Sequence, residues 1–194
     1  ALDAPKLLFV YTGMGPQWWA MGRQLYQSEK VFREAVEECD DAFRDLSGWS
    51  ILDEMLADES MSRMARTDVA QPANAVMQIA LTRLWRSWGV HPDGVLGHSV
   101  GELGAAYASN ALSLRDTMLV AYQRSRLQAL LAGKGAMLAV GLNPDEAEAF
   151  IERFTPQVSV AAVNSSSSVT LAGDTAALET IAAELTAAAR FNRF

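Results

Sequence analysis

The strongest constraint on the fold is the segment Gly94–Glu102, whose sequence is Gly-Val-Leu-Gly-His-Ser-Val-Gly-Glu. Short apolar residues lead into a G-x-S-x-G pattern around Ser99, and a run of helix-compatible residues follows. This spacing is typical of a strand, a sharp turn and a helix, which together present a serine hydroxyl to a substrate and a base. Gly97 and Gly101 flank the turn, where larger side chains would collide with the neighbouring strand and helix. The segment predicts that Ser99 is a nucleophile.

The residue after the serine has a role of its own in this interpretation. The backbone amide of Val100 stands where the helix begins, so it can donate to an oxyanion that develops on the substrate. The competing interpretation is that two glycines and a serine occur at this spacing by chance in a loop.

Composition and charge exclude several classes of function. The chain has 194 residues and a net charge of -7, and its pI is about 4.8. This acidity argues against nucleic acid or an anionic membrane as the main partner. Cys39 is the single cysteine, so no internal disulfide and no thiolate metal cluster are possible, and we predict no metal site. Without a recognisable secretory signal or a bilayer-spanning apolar segment, we expect a cytoplasmic protein.

The first part of the chain, residues 1–134, has the pattern of an α/β protein. Residues 7–11 form a short apolar run typical of a buried strand, and a glycine-rich turn follows at residues 12–17. A helix is predicted from Pro16, and a later helix is predicted to open at Gln71-Pro72. The layout of strand, turn and helix thus occurs twice. These elements predict an open parallel sheet of the serine-hydrolase kind, with helices on both faces.

The second part, residues 135–194, shows a different order of elements. Its apolar runs, turn residues and helix caps predict strand, helix, strand, strand, helix and a last strand that begins at Phe191. This β-α-β-β-α-β order is the ferredoxin-like split βαβ arrangement. We therefore predict a small ferredoxin-like α+β subdomain inserted into the α/β part.

Several segments together resemble one family. They are Thr12–Trp18 (Thr-Gly-Met-Gly-Pro-Gln-Trp), Gly97–Glu102, Gln123–Arg126 (Gln-Arg-Ser-Arg), Val163–Ser165 (Val-Asn-Ser) and Val169–Asp174 (Val-Thr-Leu-Ala-Gly-Asp). The chain is similar along its full length to the malonyl-CoA:acyl-carrier-protein acyltransferase domains of type I polyketide and fatty acid synthases. The resemblance implies transfer of an acyl group from a CoA thioester to a serine, and then to the phosphopantetheine thiol of an acyl carrier protein.

The resemblance also implies partners and the absence of a bound cofactor. The donor would be malonyl-CoA or methylmalonyl-CoA, and the phosphopantetheine would be carried by the partner acyl carrier protein. Neighbouring synthase domains are further expected partners. Which extender is preferred is left open.

Roles for individual residues follow from matching positions in the family. Ser99 takes the place of the nucleophile, and Arg124 matches the arginine that pairs with the free carboxylate of the extender. A planar guanidinium suits a carboxylate because it can donate two parallel hydrogen bonds. A structural ion pair is the alternative for Arg124, and spacing alone does not separate it from Arg126 as the carboxylate-binding residue.

Four further positions belong to the predicted site. Met14 stands where most family members have glutamine, and its backbone amide would be the second oxyanion donor whatever its side chain. Gln17 and Gln71 match positions that line the substrate pocket, although either could simply cap a helix. His98 is expected near the bound substrate, but its place next to Ser99 argues against a role as the base.

The general base is missing from the predicted site. The resemblance implies a histidine after the ferredoxin-like part, and the sequence reaches Phe194 where that segment is expected to begin. We therefore expect a domain truncated at its C-terminal end, with His91 at the wrong end of the sheet to replace the base. Two alternatives stay open: a serine esterase or thioesterase, and a non-catalytic fragment that binds a carrier protein.

Overall fold

The computed structural model describes residues 6–194, which divide into two compact units at Leu130–Leu131. The helices of the first unit are α1 (Arg23–Ser28), α2 (Lys30–Ser47), α3 (Ile51–Leu56), α4 (Thr67–Ser87), α5 (Gly101–Ala108) and α6 (Leu114–Ala129). A short 3-10 helix, Glu59–Met61, lies between α3 and α4. The predicted boundary after residue 134 falls in the connection between α6 and the next strand.

The first unit contains a small parallel sheet. Its strands are β1 (Leu8–Tyr11) and β2 (Gly94–Gly97), paired from Leu8 opposite Gly94 to Tyr11 opposite Gly97. The pairing continues past the strand ends, because the His98 amide donates to the Tyr11 carbonyl at 3.0 Å. Parallel strands end at the same edge of a sheet. The segment after β1 and the Ser99 turn after β2 are therefore brought side by side.

Helices α2, α4 and α6 form the apolar core of this unit. Apolar residues recur every three or four positions along α2, so one face of the helix is buried. Fully buried side chains from these helices and from α3 fill the space between them: Phe32, Val36, Phe43, Ile51, Ile79 and Met118. The Ser113 side chain caps the start of α6, since it accepts from the Asp116 amide at 3.1 Å.

Two predicted helix starts in this unit are wrong. The helix expected from Pro16 begins at Arg23, because Gly22 has a φ of 81° in the left-handed region and separates the preceding turns from the helix. The helix expected to open at Gln71-Pro72 begins at Thr67, with Pro72 inside it. Pro72 is the sixth residue of α4, so the helix lacks the hydrogen bond that an N–H there would donate to the Asp68 carbonyl. Gln71 consequently caps no helix.

The second unit, Leu131–Phe194, has the predicted order of elements. They are β3 (Ala136–Val140), α7 (Pro144–Ile151), β4 (Val158–Ser165), β5 (Ser168–Gly173), α8 (Thr175–Ala187) and β6 (Asn192–Arg193). The four strands form one antiparallel sheet in the order β4-β5-β3-β6. Asn143 and Glu146 form a capping box at the start of α7, and Asp174 caps α8.

The chain is thus a mixed α/β protein with a small parallel sheet and a separate antiparallel sheet. Among residues 6–194, no helix is both long and apolar enough to span a bilayer.

Candidate active site

Ser99 occupies a strained turn between β2 and α5. Its φ is 55°, in the left-handed region that residues other than glycine seldom adopt. Such conformations persist where the surrounding structure enforces them, and they cluster at functional sites. The side chain of Ser99 is exposed to solvent. The structure therefore contains the strand, sharp turn and helix that the G-x-S-x-G pattern predicts.

The two glycines of the pattern allow close contact between backbone segments. A Cβ atom on Gly101 would lie 2.1 Å from the Tyr11 carbonyl oxygen at the end of β1. One on Gly97 would lie 2.5 Å from the Glu102 nitrogen in the first turn of α5. Both distances are far below van der Waals contact. Any side chain at either position would move the helix or the strand that holds Ser99.

Val100 anchors the start of α5. Its side chain is fully buried, and its carbonyl accepts from the Leu103 amide at 3.1 Å. The first amides of a helix have no intrahelical acceptor and stand at the positive end of its dipole. This is the arrangement that a backbone oxyanion donor requires.

The segment after β1 packs directly on the Ser99 turn. Gly13 is buried, and a Cβ added to it would lie 3.1 Å from His98 Nδ1 and 3.2 Å from Ser99 Cβ. Met14 follows with an exposed side chain. The two backbone segments predicted to supply oxyanion donors are therefore neighbours, and His98 lies against Gly13.

Gln17 holds the next turn of this segment. Its Oε1 accepts from the Gly15 amide at 2.7 Å and from Asn74 Nδ2 of α4 at 3.4 Å. Gln17 therefore fixes a loop, since no helix begins at this position.

Arg124 reaches Ser99 from α6. Its Nη2 donates to Ser99 Oγ at 3.1 Å, and its Nη1 donates to Oε1 of Gln71. Gln71 is fully buried in α4 and also donates to Gln128. Burial lowers the pKa of Arg124, and the nearby charge of Glu102 partly opposes this. Within residues 6–194, no carboxylate forms an ion pair with Arg124.

The structure distinguishes Arg124 from Arg126 as the carboxylate-binding candidate, and it shows where His91 lies relative to Ser99. Arg126 is exposed and donates to Gln123 Oε1 at 3.0 Å, so its guanidinium is engaged away from Ser99. His91 is also exposed and precedes β2, while Ser99 follows it. The length of the strand therefore lies between His91 and Ser99.

Asn74 and Gln78 are site residues that the sequence analysis missed. Both are buried on α4, and Gln78 Nε2 donates to the Thr12 carbonyl at 2.8 Å. A signal for them exists in the sequence. Gln71, Asn74, Gln78 and Thr82 recur every three or four residues within an otherwise apolar helix, which indicates a polar face.

The comparisons with known proteins agree with this geometry. A family model described as "Acyl transferase domain" matches residues 8–193. The chain is 43% identical over 197 residues to a highly reducing polyketide synthase of Sordaria araneosa, a match that covers 97% of this chain and 6% of that protein. The chain therefore belongs to the acyl transferase domain family and is homologous to the acyltransferase domains of polyketide synthases.

Solved structures support the same assignment. The loading acyltransferase of the avermectin modular polyketide synthase is 41% identical, with a TM-score of 0.87 over 96% of this chain and 60% of that one. The acyltransferase domain of SpnD, solved in complex with a 2-(pent-4-yn-1-yl)malonyl group, is 30% identical. Its TM-score is 0.84 over 100% of this chain and 45% of that one. The family predicted from the sequence segments is confirmed.

Proposed function

We propose that this chain transfers a malonyl-type extender group from CoA to an acyl carrier protein through an ester on Ser99. The observation that carries the proposal is the hydrogen bond from Arg124 to Ser99 Oγ at 3.1 Å. A half-buried cation beside the nucleophile, without a carboxylate partner among the described residues, suits an acyl group that carries its own carboxylate. The 2-(pent-4-yn-1-yl)malonyl group in the SpnD complex is consistent with such a substrate.

The proposed reaction has two steps. In the first, Ser99 Oγ attacks the thioester carbonyl, its O–C bond forms, the C–S bond breaks, and CoA leaves as the thiol. In the second, the phosphopantetheine thiol attacks the Ser99 ester, a new C–S bond forms, the Ser99 O–C bond breaks, and the proton of the thiol passes to Ser99 Oγ. The amides of Val100 and Met14 would stabilise the tetrahedral oxyanion of each step.

The other predicted residues would bind or hold the substrate site. Gln71 fixes the Arg124 guanidinium, Gln17 fixes the loop that carries Met14, and His98 lies against Gly13. The position of His91 before β2 supports the proposal that it is not the base for Ser99. We propose no bound cofactor, with the acyl carrier protein and neighbouring synthase domains as protein partners.

The test is acyl-enzyme formation with radiolabelled malonyl-CoA, followed by acid quench and peptide mapping. We expect one stable label on Ser99, transfer of the label to acyl carrier protein, and no label in Ser99→Ala. The measurement is made on the full-length polypeptide that contains these residues. A label that persists in Ser99→Ala would place the nucleophile elsewhere.

The same experiment separates the other classes of function. Rapid loss of the label to water, with free malonate as product, would indicate a hydrolase of the esterase type. A folded protein that binds acyl carrier protein but takes no label would be a non-catalytic binding module.

A further inference from the structure

One face of α4 carries four polar side chains that are almost completely buried. They are Gln71, Asn74, Gln78 and Thr82, which are 0%, 5%, 9% and 1% exposed. Their spacing of three and four residues places them on one side of the helix. Buried polar groups are costly unless they are hydrogen-bonded, so the partners of this face show which segments the helix holds.

The partner of Gln78 is the segment after β1. Its Nε2 donates to the Thr12 carbonyl at 2.8 Å, and the next residue, Gly13, packs on Ser99. The carbonyl that Gln78 holds belongs to the peptide that leads into Gly13. A shift at Thr12 is therefore transmitted to the Gly13–Met14 peptide within one residue.

The other end of the same segment is also fixed. The Gly15 amide donates to Gln17, which accepts in turn from Asn74 on α4. The Met14 amide therefore lies between two anchored residues, Thr12 and Gly15. This short span has little freedom to relax if the anchor at Thr12 is lost.

The environment of Gln78 indicates which atom of its side-chain amide faces the loop. Its Oε1 is buried and has no hydrogen-bond partner among residues 6–194. It lies 2.5 Å from the position that a Cβ of Gly104 would occupy. An unpaired buried oxygen is unfavourable. The reverse orientation would place this oxygen against the Thr12 carbonyl, so the amide is held with its N–H towards the loop.

We propose that Gln78 is a positioning residue for acyl transfer. Through the Thr12 carbonyl it holds the Met14 amide where the oxyanion forms, without touching the substrate. This inference rests on the proposed function, because it assumes that Ser99 is acylated.

The test compares Gln78→Met with wild type in the full-length polypeptide. Methionine has nearly the same shape but cannot donate to Thr12. We expect kcat for malonyl transfer to fall about 10- to 100-fold, with KM for malonyl-CoA unchanged. Gln78→Leu, which also has no donor, should show the same loss and provides a second variant if Gln78→Met does not fold.

Thr82→Val is the matched control. It removes a buried polar group one turn further along the same face, where the Thr82 hydroxyl contacts Tyr11 Oη at 2.7 Å. We expect Thr82→Val to lower the melting temperature but to keep kcat near the wild-type value. A comparable loss of kcat in Thr82→Val, or a loss confined to KM, would overturn the positioning role.

A serine-directed fluorophosphonate supplies an independent readout. Its tetrahedral adduct places an oxygen in the oxyanion position, so the rate of Ser99 labelling should fall in Gln78→Met and not in Thr82→Val. Equal labelling rates in wild type and Gln78→Met would refute the role of Gln78 and leave the proposed function intact. If wild-type Ser99 took neither fluorophosphonate nor malonyl label, both the proposed function and this inference would be overturned.

Discussion

Replacing Arg124 with alanine gives the sharpest test of substrate choice. The guanidinium lies 3.1 Å from Ser99 Oγ and is held by the fully buried Gln71. Its place beside Ser99 would let it donate two hydrogen bonds to the carboxylate of the proposed acyl group. Loss of such a charge-assisted pair in a partly buried site costs on the order of 2–4 kcal/mol. That range corresponds to a fall of roughly 30- to 1000-fold in kcat/KM for malonyl-CoA.

The discriminating measurement is the ratio of kcat/KM for malonyl-CoA to that for acetyl-CoA. Acetyl has no carboxylate, so its transfer should change little in Arg124→Ala and the ratio should collapse. Arg126→Ala is the matched control, because it removes the same charge from an exposed position on the same helix. We expect it to leave the ratio unchanged.

Two results would refute this reasoning. Equal losses for both donors would mean that Arg124 acts on the structure of the site, through Gln71 or Ser99, and not on the substrate carboxylate. A collapse of the ratio in Arg126→Ala would transfer the role to that residue.

Two further predictions concern stability and thiol reactivity. Gly101→Ala should destabilise the protein by about 3 kcal/mol or more, because the new methyl would lie 2.1 Å from the Tyr11 carbonyl oxygen. Gly48→Ala, whose methyl meets no atom within 4 Å at a φ of 76°, should cost only about 1 kcal/mol, and similar melting temperatures for the two variants would contradict the packing argument. Burial raises the pKa of Cys39 to about 12, so the native thiol should resist iodoacetamide at pH 8 and react after unfolding in urea. The free energy of unfolding should also fall between about pH 9 and 12, where the unfolded thiol ionises and the native one does not. Cys39→Ala should remove that part of the pH dependence.

Features set by neighbouring residues were predictable from the sequence. The turn at Ser99 follows from the close spacing of Gly97 and Gly101, and the structure shows what each glycine accommodates. The caps at Ser113, Asn143 and Asp174 also depend on residues within one helical turn. The order of strands and helices after residue 135 follows from the same kind of local pattern.

The helix starts were less predictable because the local signals point in more than one direction. Pro16 fits a first helical position, yet the left-handed Gly22 delays the helix to Arg23. Pro72 has the same preference, but burial of the helix face on both sides of it extends α4 back to Thr67. In both cases tertiary packing and backbone conformation outweigh a residue preference of modest energy.

The choice between Arg124 and Arg126 depends on contacts that no local pattern contains. Both arginines lie in one helix, and only the position of α4 and the Ser99 turn brings Arg124 to Gln71 and Ser99. The polar face of α4 is visible in the sequence, but the partner of Gln78 is not, because Thr12 is distant along the chain and accepts through a backbone carbonyl. Every residue has a backbone carbonyl, so the residue type does not indicate which carbonyl will accept a hydrogen bond.

The position of α4 explains how these distant segments are brought together at the proposed site. Its buried polar face contacts α6 through Gln71 and the segment after β1 through Gln78, so one helix holds both Arg124 and the segment proposed to supply an oxyanion donor. A helix packed on apolar neighbours along most of its length keeps such groups at fixed separations better than a loop can. Electrostatic stabilisation of a transition state depends on donors that are already in place when charge develops. Under the proposed function, Gln71 and Gln78 of this face would therefore contribute to catalysis as well as to stability, even though the Gln78 side chain does not touch the reacting atoms.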